Sequence, residues 1–476
     1  MKKMLSFFKL TLQNGLILPL LLFNISITKA QNTPKKPNII VILTDDMGYA
    51  DVGIHGTEKD VRTPNLDALA KSGVRMTNGY VTAPQCVPSR AGLITGRYQT
   101  RFNLEMNGQG PMKPEEITIA ERLKTAGYTT GFSGKWHLES GREEEQANVK
   151  DTTNGKPKPI PNRSIYMPVN QGFDEYLVGA MTRYSASHTL DGKKLDNAPQ
   201  IINNKAFRVD VQAEWAVSFV DRNADKPFFL YLPFYAPHVP LEATEKYLSR
   251  FPDAVKERKM ALAMISAVDD GVGELVKKLT EKGILENTLI IFLSDNGAPL
   301  RKGAWDGSLN TPFLGEKGML TEGGIHIPFI MSWKGTLPAG KVYEKPIISL
   351  DIAATAIEMA GLKPDKALDG VDLMPFLLGK NKKSPHDVLY WRWRSQAAIR
   401  MDNWKLVKLT DQKSYLFDLN SKEKEDKNVL DKHPKIAAEL EKKLLAWSME
   451  MIPTGLPKGK PSAGDTYFFD TFLKDK

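Results

Sequence analysis

Two short apolar runs constrain this chain of 476 residues more than any other feature. Asn38-Ile39-Ile40-Val41-Ile42-Leu43 and Thr288-Leu289-Ile290-Ile291-Phe292-Leu293 are rich in β-branched residues and lack polar interruptions. A strand with one face in water alternates, whereas a continuous run of this length reads as a strand buried on both faces. Both runs end in side-chain oxygens: Thr44-Asp45-Asp46 follows the first and Ser294-Asp295-Asn296 the second. Open α/β sheets place ligands at the carboxyl ends of their strands. Asp45, Asp46, Asp295 and Asn296 form an all-oxygen donor set, which suits Ca²⁺ or Mg²⁺ better than Zn²⁺. We expect Ca²⁺, although residue type alone also allows turn or cap aspartates.

The intervening chain alternates strands and helices. Residues 63–73 read as a helix closed by a glycine, 74–81 as a strand, and 115–125 as a second helix. Further helices are expected over 209–223, 254–283 and 350–360, with strands over 227–235 and 327–333. This order predicts an α/β fold, a large mostly parallel sheet sandwiched by helices. Near residue 380 the pattern changes. After a linker at 379–385, short antiparallel strands are expected at 388–393, 397–401, 404–408 and 415–418, then a helix at 434–449. The domains are thus a main domain over 31–380 and a small α+β subdomain over 381–476. Residues 141–205, polar and rich in Gly, Pro and Asn, read as long loops, and the last ~25 residues as a tail.

Residues 1–30 read as an export signal. Lys2, Lys3 and Lys9 precede an apolar stretch, and Thr28 and Ala30 suit cleavage before Gln31. The apolar stretch is short for a membrane span, so no stable anchor is expected after cleavage, and the location is periplasmic or secreted in a bacterium. At 41% hydrophobic and 25% charged, the composition excludes a disordered chain. The net charge of +9 suits an acidic polymer. Basic and acidic residues are interspersed without a nucleic-acid-binding signature, so no nucleic-acid partner is expected.

The only cysteine, Cys86, stands in Pro84-Gln85-Cys86-Val87-Pro88-Ser89-Arg90. Pro88 and Ser89 read as opening a short helix with Arg90 in its first turn. Such a turn attracts anions, and Arg90 adds a forked donor. A lone Cys is commonly a small buried apolar residue. In an exported chain with no second Cys to pair with, it reads as kept for chemistry. Lys135 and His137, two apart, face one side if the segment is extended. His238 is bracketed by Pro237 and Pro240. Arg183, Tyr184 and His188 are candidates to reach a substrate, with plain loop roles equally open; Trp391, Arg392 and Arg394 near the end are further candidates, for which core and surface packing is the preferred reading.

Taken in order, Asp45-Asp46, Cys86-x-Pro88-Ser89-Arg90 with Thr95-Gly96-Arg97, Gly134-Lys135-Trp136-His137, Pro237-His238-Val239-Pro240, Asp295-Asn296 and Lys317 with Glu322-Gly323-Gly324 resemble the type I sulfatases of the alkaline-phosphatase superfamily, over roughly residues 36–450. The resemblance implies that Cys86 is oxidised to formylglycine by a maturating enzyme. Its hydrated aldehyde would attack sulfur, and the aldehyde would reform as sulfate leaves. It further implies one Ca²⁺ held by Asp45, Asp46, Asp295, Asn296 and the modified Cys86. Arg90, Lys135 and Lys317 would bind the sulfate, His238 would contact it and protonate the leaving alcohol, and His137 would take up a proton. The implied substrate is a sulfated oligo- or polysaccharide, with algal glycans (ulvan, carrageenan or fucoidan) ahead of glycosaminoglycans or mucin. A phosphonate monoester hydrolase or phosphodiesterase is the alternative. One departure is His326, where many relatives carry Arg.

Overall fold

The computed structural model describes residues 36–139, 163–179 and 181–474. The expected export signal at 1–30 and residues 141–162 of the expected loops lie outside them. In chain order the strands are β1 (Asn38–Asp45), β2 (Val74–Met76), β3 (Gly79–Tyr80), β4 (Thr129–Gly134), β5 (Glu175–Gly179), β6 (Arg183–Ala186), β7 (Gln200–Asn203) and β8 (Phe228–Pro237). They continue as β9 (Thr288–Ser294), β10 (Phe329–Ser332), β11 (Lys341–Tyr343), β12 (Ile347–Ile348), β13 (Val388–Trp393), β14 (Gln396–Met401), β15 (Trp404–Leu409) and β16 (Lys413–Asp418).

Ten strands form the main sheet in the order β11-β2-β10-β9-β1-β8-β4-β5-β6-β7. Its centre, β9-β1-β8-β4-β5, is parallel, and antiparallel pairings lie towards the edges. The two apolar runs are the neighbours β1 and β9, every residue of which is buried. Successive side chains point to opposite faces. Ile39, Val41, Leu43, Leu289, Ile291 and Leu293 therefore pack on one side, and Ile40, Ile42, Ile290 and Phe292 on the other. Helices Cys86–Thr95, Ile119–Thr125 and Asp351–Met359 cover the first face, and Pro64–Ser72, Arg208–Asn223 and Lys256–Glu281 the second. The antiparallel sheet β13-β14-β15-β16 and the helix Pro434–Ser448 add Trp391, Ile399, Leu406, Leu440 and Leu444 to the first face's core.

Four expectations need correction. The stretch 141–205 is not loop throughout: β5, β6 and β7 extend the main sheet there. The last residues are not only a tail, because Ala463–Phe472 is a helix. Its cap is Ser462, whose hydroxyl accepts the Asp465 N–H. The helix expected from 115 begins at Ile119 behind a Thr118–Glu121 capping box. The strand expected over 74–81 is two short pieces, β2 and β3, in different sheets.

Candidate active site

β1 and β9 run in register, Leu43 beside Leu293 and Thr44 beside Ser294. Their acidic ends therefore emerge side by side. The Asp295 N–H donates to Thr44 O at 3.0 Å, and the Asp46 N–H to Asp295 Oδ1 at 3.1 Å. Asp46 turns at φ 68, a left-handed conformation that Asp tolerates better than most residues.

The helix that brings up the cysteine begins at Cys86 itself, capped by Gln85, so Pro88 lies third and Arg90 fifth. This corrects the expected helix start and the placing of Arg90 in the first turn. The Cys86 thiol donates to Asp45 Oδ1 at 3.3 Å and lies 3.8 Å from Asp46 Oδ1. Ligand atoms of Asp45, Asp46, Cys86 and Asp295 all fall within 4.8 Å of one another.

Three cations neutralise the three acids. The Arg90 side chain is 1% exposed, and its Nε and Nη2 each lie 2.8 Å from Asp295 Oδ2. Its Nη1 donates to Lys135 O at 2.8 Å. In this structure its fork holds Asp295 and the Lys135 backbone, while Nη2, 3.4 Å from Asp45 Oδ1, makes no hydrogen bond among the described residues. Lys135 Nζ reaches Asp45 Oδ2 at 2.6 Å. Lys317 Nζ reaches Asp46 Oδ2 at 2.6 Å and lies 3.5 Å from the Cys86 sulfur. His238, at the end of β8, bonds Val239 O through Nδ1 at 2.6 Å, leaving Nε2 towards Asp46 Oδ2 at 3.6 Å. Arg208, missed in the sequence, clamps this turn by donating to His238 O and Pro240 O, each at 2.8 Å.

The segment after β4 is not extended. Gly134 has φ 134 and His137 φ 62, so the alternation argument for Lys135 and His137 fails. A Cβ at Gly134 would stand 1.9 Å from Pro233 O. That close approach lets the Lys135 N–H bond the same carbonyl at 2.8 Å and aims Lys135 at Asp45. His137 is brought near the same charges by tertiary structure: burial, then Lys135 and Arg90, hold its pKa well below the usual histidine range.

The other charges shift for equally local reasons. Burial alone would raise Asp45, but Lys135, His238 and Arg90 hold it well below the carboxylate range. Burial pushes Asp295 up to about 6, with Arg90 opposing and Asp45 and Asp46 reinforcing. Burial, then Asp295, pushes the Cys86 thiol well up. Burial disfavours the Lys317 ammonium, but Asp46, Cys86 and Asp45 together more than offset it, and its pKa rises.

The donor chemistry fits a hard divalent cation. Asn296 Nδ2 donates to Asp46 Oδ1 at 2.7 Å and to Gly297 O at 2.9 Å, while its buried Oδ1 has no partner among the described residues. An orphaned amide oxygen beside three carboxylates is the donor set that Ca²⁺ or Mg²⁺ takes.

The cluster opens into a cavity of about 420 Å³ lined by Asp46, His238 and Lys317. The sequence reading missed much of the remaining lining: Arg301, Trp305 and Asp306 lie in the stretch between the Asp295 and Lys317 motifs, and Phe468 comes from near the end of the chain. Asp306 is 1% exposed and its Oδ2 has no partner among the described residues. Of the other candidates, Arg394 reaches the cavity. Trp391 is core, with its indole N–H on Val81 O. Arg392 is buried, with Nη2 near Glu105 at 2.5 Å and Nη1 on Pro453 O. Tyr184 is buried with its hydroxyl on Met181 O, and His188 bonds Ser187 and lies 3.7 Å from Glu175, so both pack within the protein. Arg183 is exposed on β6 and does not line this cavity.

Two family models match the chain, one described as Sulfatase over residues 37–362 and one as N-sulphoglucosamine sulphohydrolase, C-terminal, over residues 313–450. The N-acetylgalactosamine-6-sulfatase of Canis lupus familiaris is 31% identical over 414 residues, 79% of this chain and 72% of that one. Among solved structures, Ps i-CgsB in complex with k-i-k-neocarrahexaose is similar at TM-score 0.74 and 30% identity, over 93% of this chain and 98% of its own. The PsFucS1 sulfatase from Pseudoalteromonas sp. is similar at TM-score 0.70 and 27% identity, over 90% and 92%.

Proposed function

This chain belongs to the sulfatase family, a sulfuric ester hydrolase of sulfated carbohydrate, and from that premise we propose that it is an exported enzyme desulfating a carrageenan-type galactan or its oligosaccharides. The observation that carries the site assignment is the Cys86 sulfur buried between Asp45, Asp46 and Lys317, of which Asp46 and Lys317 line the cavity. The carrageenan assignment draws on the similar structure in complex with k-i-k-neocarrahexaose. A glycosaminoglycan substrate is the second reading, favoured by the 31% identity to an N-acetylgalactosamine-6-sulfatase.

Oxidised to formylglycine by a maturating enzyme, residue 86 would supply a hydrated aldehyde as nucleophile. Asp45, Asp46, Asp295 and Asn296 Oδ1 would hold Ca²⁺, which supplies Lewis-acid polarisation of the sulfate. Lys317, at the cavity floor, and Lys135 place ammonium donors where sulfate charge must be neutralised. Arg90 holds Asp295 and the Lys135 backbone, so its contribution is largely to fix the site. His238 keeps Nδ1–H on Val239 O, so a proton taken up at Nε2 faces the reacting group and can pass to the departing alkoxide oxygen. His137, held neutral by burial and neighbouring cations, would take up a proton only as negative charge develops beside it. Asp306 offers a buried hydrogen-bonding group to a sugar hydroxyl.

The test is the mass of the Cys86 peptide in protein purified from its native host, paired with sulfate release from carrageenan oligosaccharides. We expect a peptide lighter by about 18 Da, whereas other cysteine oxidations add mass. An intact thiol in protein that still releases sulfate would overturn the nucleophile assignment. Sulfate release from chondroitin-type but not carrageenan-type chains would replace the substrate.

A further inference from the structure

The cavity extends beyond the groups that face the sulfate, and its far lining has a composition that the cleavage step does not require. Gly318 follows Lys317, and a Cβ there would meet the Phe468 ring at 3.0 Å and the Trp393 ring at 3.5 Å. The aromatic lining is therefore continuous with the sulfate-facing lysine. Each of these rings carries an arginine. The Arg301 guanidinium lies 5.5 Å from the Phe468 centroid, and that of Arg394 lies 5.1 Å from the Trp393 centroid. An arginine stacked on a ring keeps its in-plane N–H donors free and pre-oriented, which suits forked recognition of an anion.

Neither guanidinium is neutralised closely. Among the described residues, Arg301 forms no ion pair; it is the Arg301 backbone N–H that donates to Glu316, at 2.6 Å. Arg394 donates one bond to Ser462 Oγ at 2.8 Å, and its nearest carboxylate oxygen, on Asp465, is 3.8 Å from Nε. Asp465 already accepts bonds from the Ser462 hydroxyl and from Gln396. Arg394 holds φ 54 as a central residue of the two-residue turn between β13 and β14, which fixes its backbone at the cavity's edge.

We propose that Arg301 and Arg394 form a second anion subsite, which binds a sulfate ester or a carboxylate on the sugar residue next to the one being desulfated. The proposal rests on the sulfatase reading above, and it makes the enzyme selective for chains carrying a second anion.

The test compares carrageenan-type tetrasaccharides that share the scissile sulfate and differ only in a second sulfate on the neighbouring residue. A third substrate carries a uronate carboxylate there, so the two anion sources separate. We expect the wild-type kcat/KM ratio of dianionic to monoanionic substrate to be about tenfold or more, as one charge-assisted contact gives. R301Q and R394Q should bring that ratio towards one, and R301K should restore part of it. A wild-type ratio within about twofold, or a ratio unmoved by R301Q, overturns the subsite. Calorimetric binding of the same oligosaccharides to C86A and to C86A/R301Q separates the two readings. Binding that depends on Arg301, in a protein whose wild type releases no sulfate, sustains the subsite and removes the sulfatase assignment. Binding indifferent to Arg301 overturns the subsite whatever the turnover.

Discussion

Around Cys86, Asp45, Asp46 and Asp295 are buried with Arg90 and Lys135, and Lys317 closes the cluster from the cavity side; elsewhere Glu322 and Glu425 are buried with Lys405 and Arg400. Lys405 Nζ lies 2.6 Å from Glu322 and 2.9 Å from Glu425. The Tyr80 hydroxyl donates to Glu322 at 2.7 Å, and Arg400 in turn donates to the Tyr80 oxygen. His326 sets Nδ1 2.7 Å from Glu322 and Nε2 2.8 Å from Thr77 O. Buried charge is common to both regions and so does not mark the site. The difference is unused capacity: an amide oxygen without a partner at Asn296, an imidazole nitrogen of His238 facing a cavity, and a lysine at that cavity's floor. The cluster around Lys405 turns its polar atoms on one another and ties β15 to the main domain.

The two histidines break this comparison most sharply. His238→Asn should cut kcat on a sugar sulfate by about 10²–10⁴-fold, as loss of a general acid does. The loss should be smaller on an aryl sulfate, whose leaving group needs less help. His326→Asn should leave the rate per folded molecule within about twofold while lowering the melting temperature. Steady-state rates on both substrate types, normalised to folded protein, decide it. Equal losses on sugar and aryl sulfate would remove His238 from proton transfer.

The lysines come next. Lys317→Ala should cost about 10²–10³-fold in kcat/KM, because it removes a donor aimed at developing charge. Lys405→Met should cost about 3–5 kcal/mol, because it strands buried carboxylates. Its folded fraction should turn over normally. Urea unfolding alongside kinetics checks both, and a Lys405→Met protein that stays stable but slows would erase the distinction between the regions.

What was legible in the sequence follows the same division. β1 and β9 could be read because burial on both faces demands an unbroken apolar run, and their acidic ends came with them. β7 could not, because an exposed edge strand, Gln200–Asn203, carries no such pattern. The Ala463–Phe472 helix was hidden behind the Gly-, Pro- and Lys-rich residues before it, although Ser462 and Asp465 carried a capping signal. Arg90 was legible as a member of the motif. Its direction was not, since Asp295, 205 positions away, decides where its fork points. Lys135 reaches Asp45 through a glycine with positive φ, which alternation of side chains cannot foresee. Phe468 meets Arg301 and Trp305 only in three dimensions, so no spacing announces it.

The smallest effect tests whether the Lys405 cluster is charged throughout. Burial pushes Glu425 from an ordinary 4.5 up to about 7, with Lys405 opposing and Glu322 reinforcing. Between those values the folded protein holds a proton at Glu425 that the unfolded chain has lost. Its contribution to stability therefore falls as pH rises from 4.5 to about 7 and is level on either side. His326 runs the other way: burial lowers it from 6.5, so it destabilises the fold as pH falls below that value. Glu322 is held well below 4.5 by Lys405 and His326 despite burial, so its contribution is lost only at lower pH. The wild-type curve mixes all three, and the difference between wild type and Glu425→Gln isolates one. Gln keeps an acceptor oxygen for the Glu322 N–H, which Glu425 accepts at 2.7 Å, and cannot titrate. The stability of Glu425→Gln relative to wild type should rise with pH across this window, by at most about 1.4 kcal/mol per pH unit. A difference that stays flat from about pH 4 to 8 would mean that Glu425 is ionised in the folded protein. Both clusters would then be fully charged networks, and the contrast between them would rest on unused donors and acceptors alone.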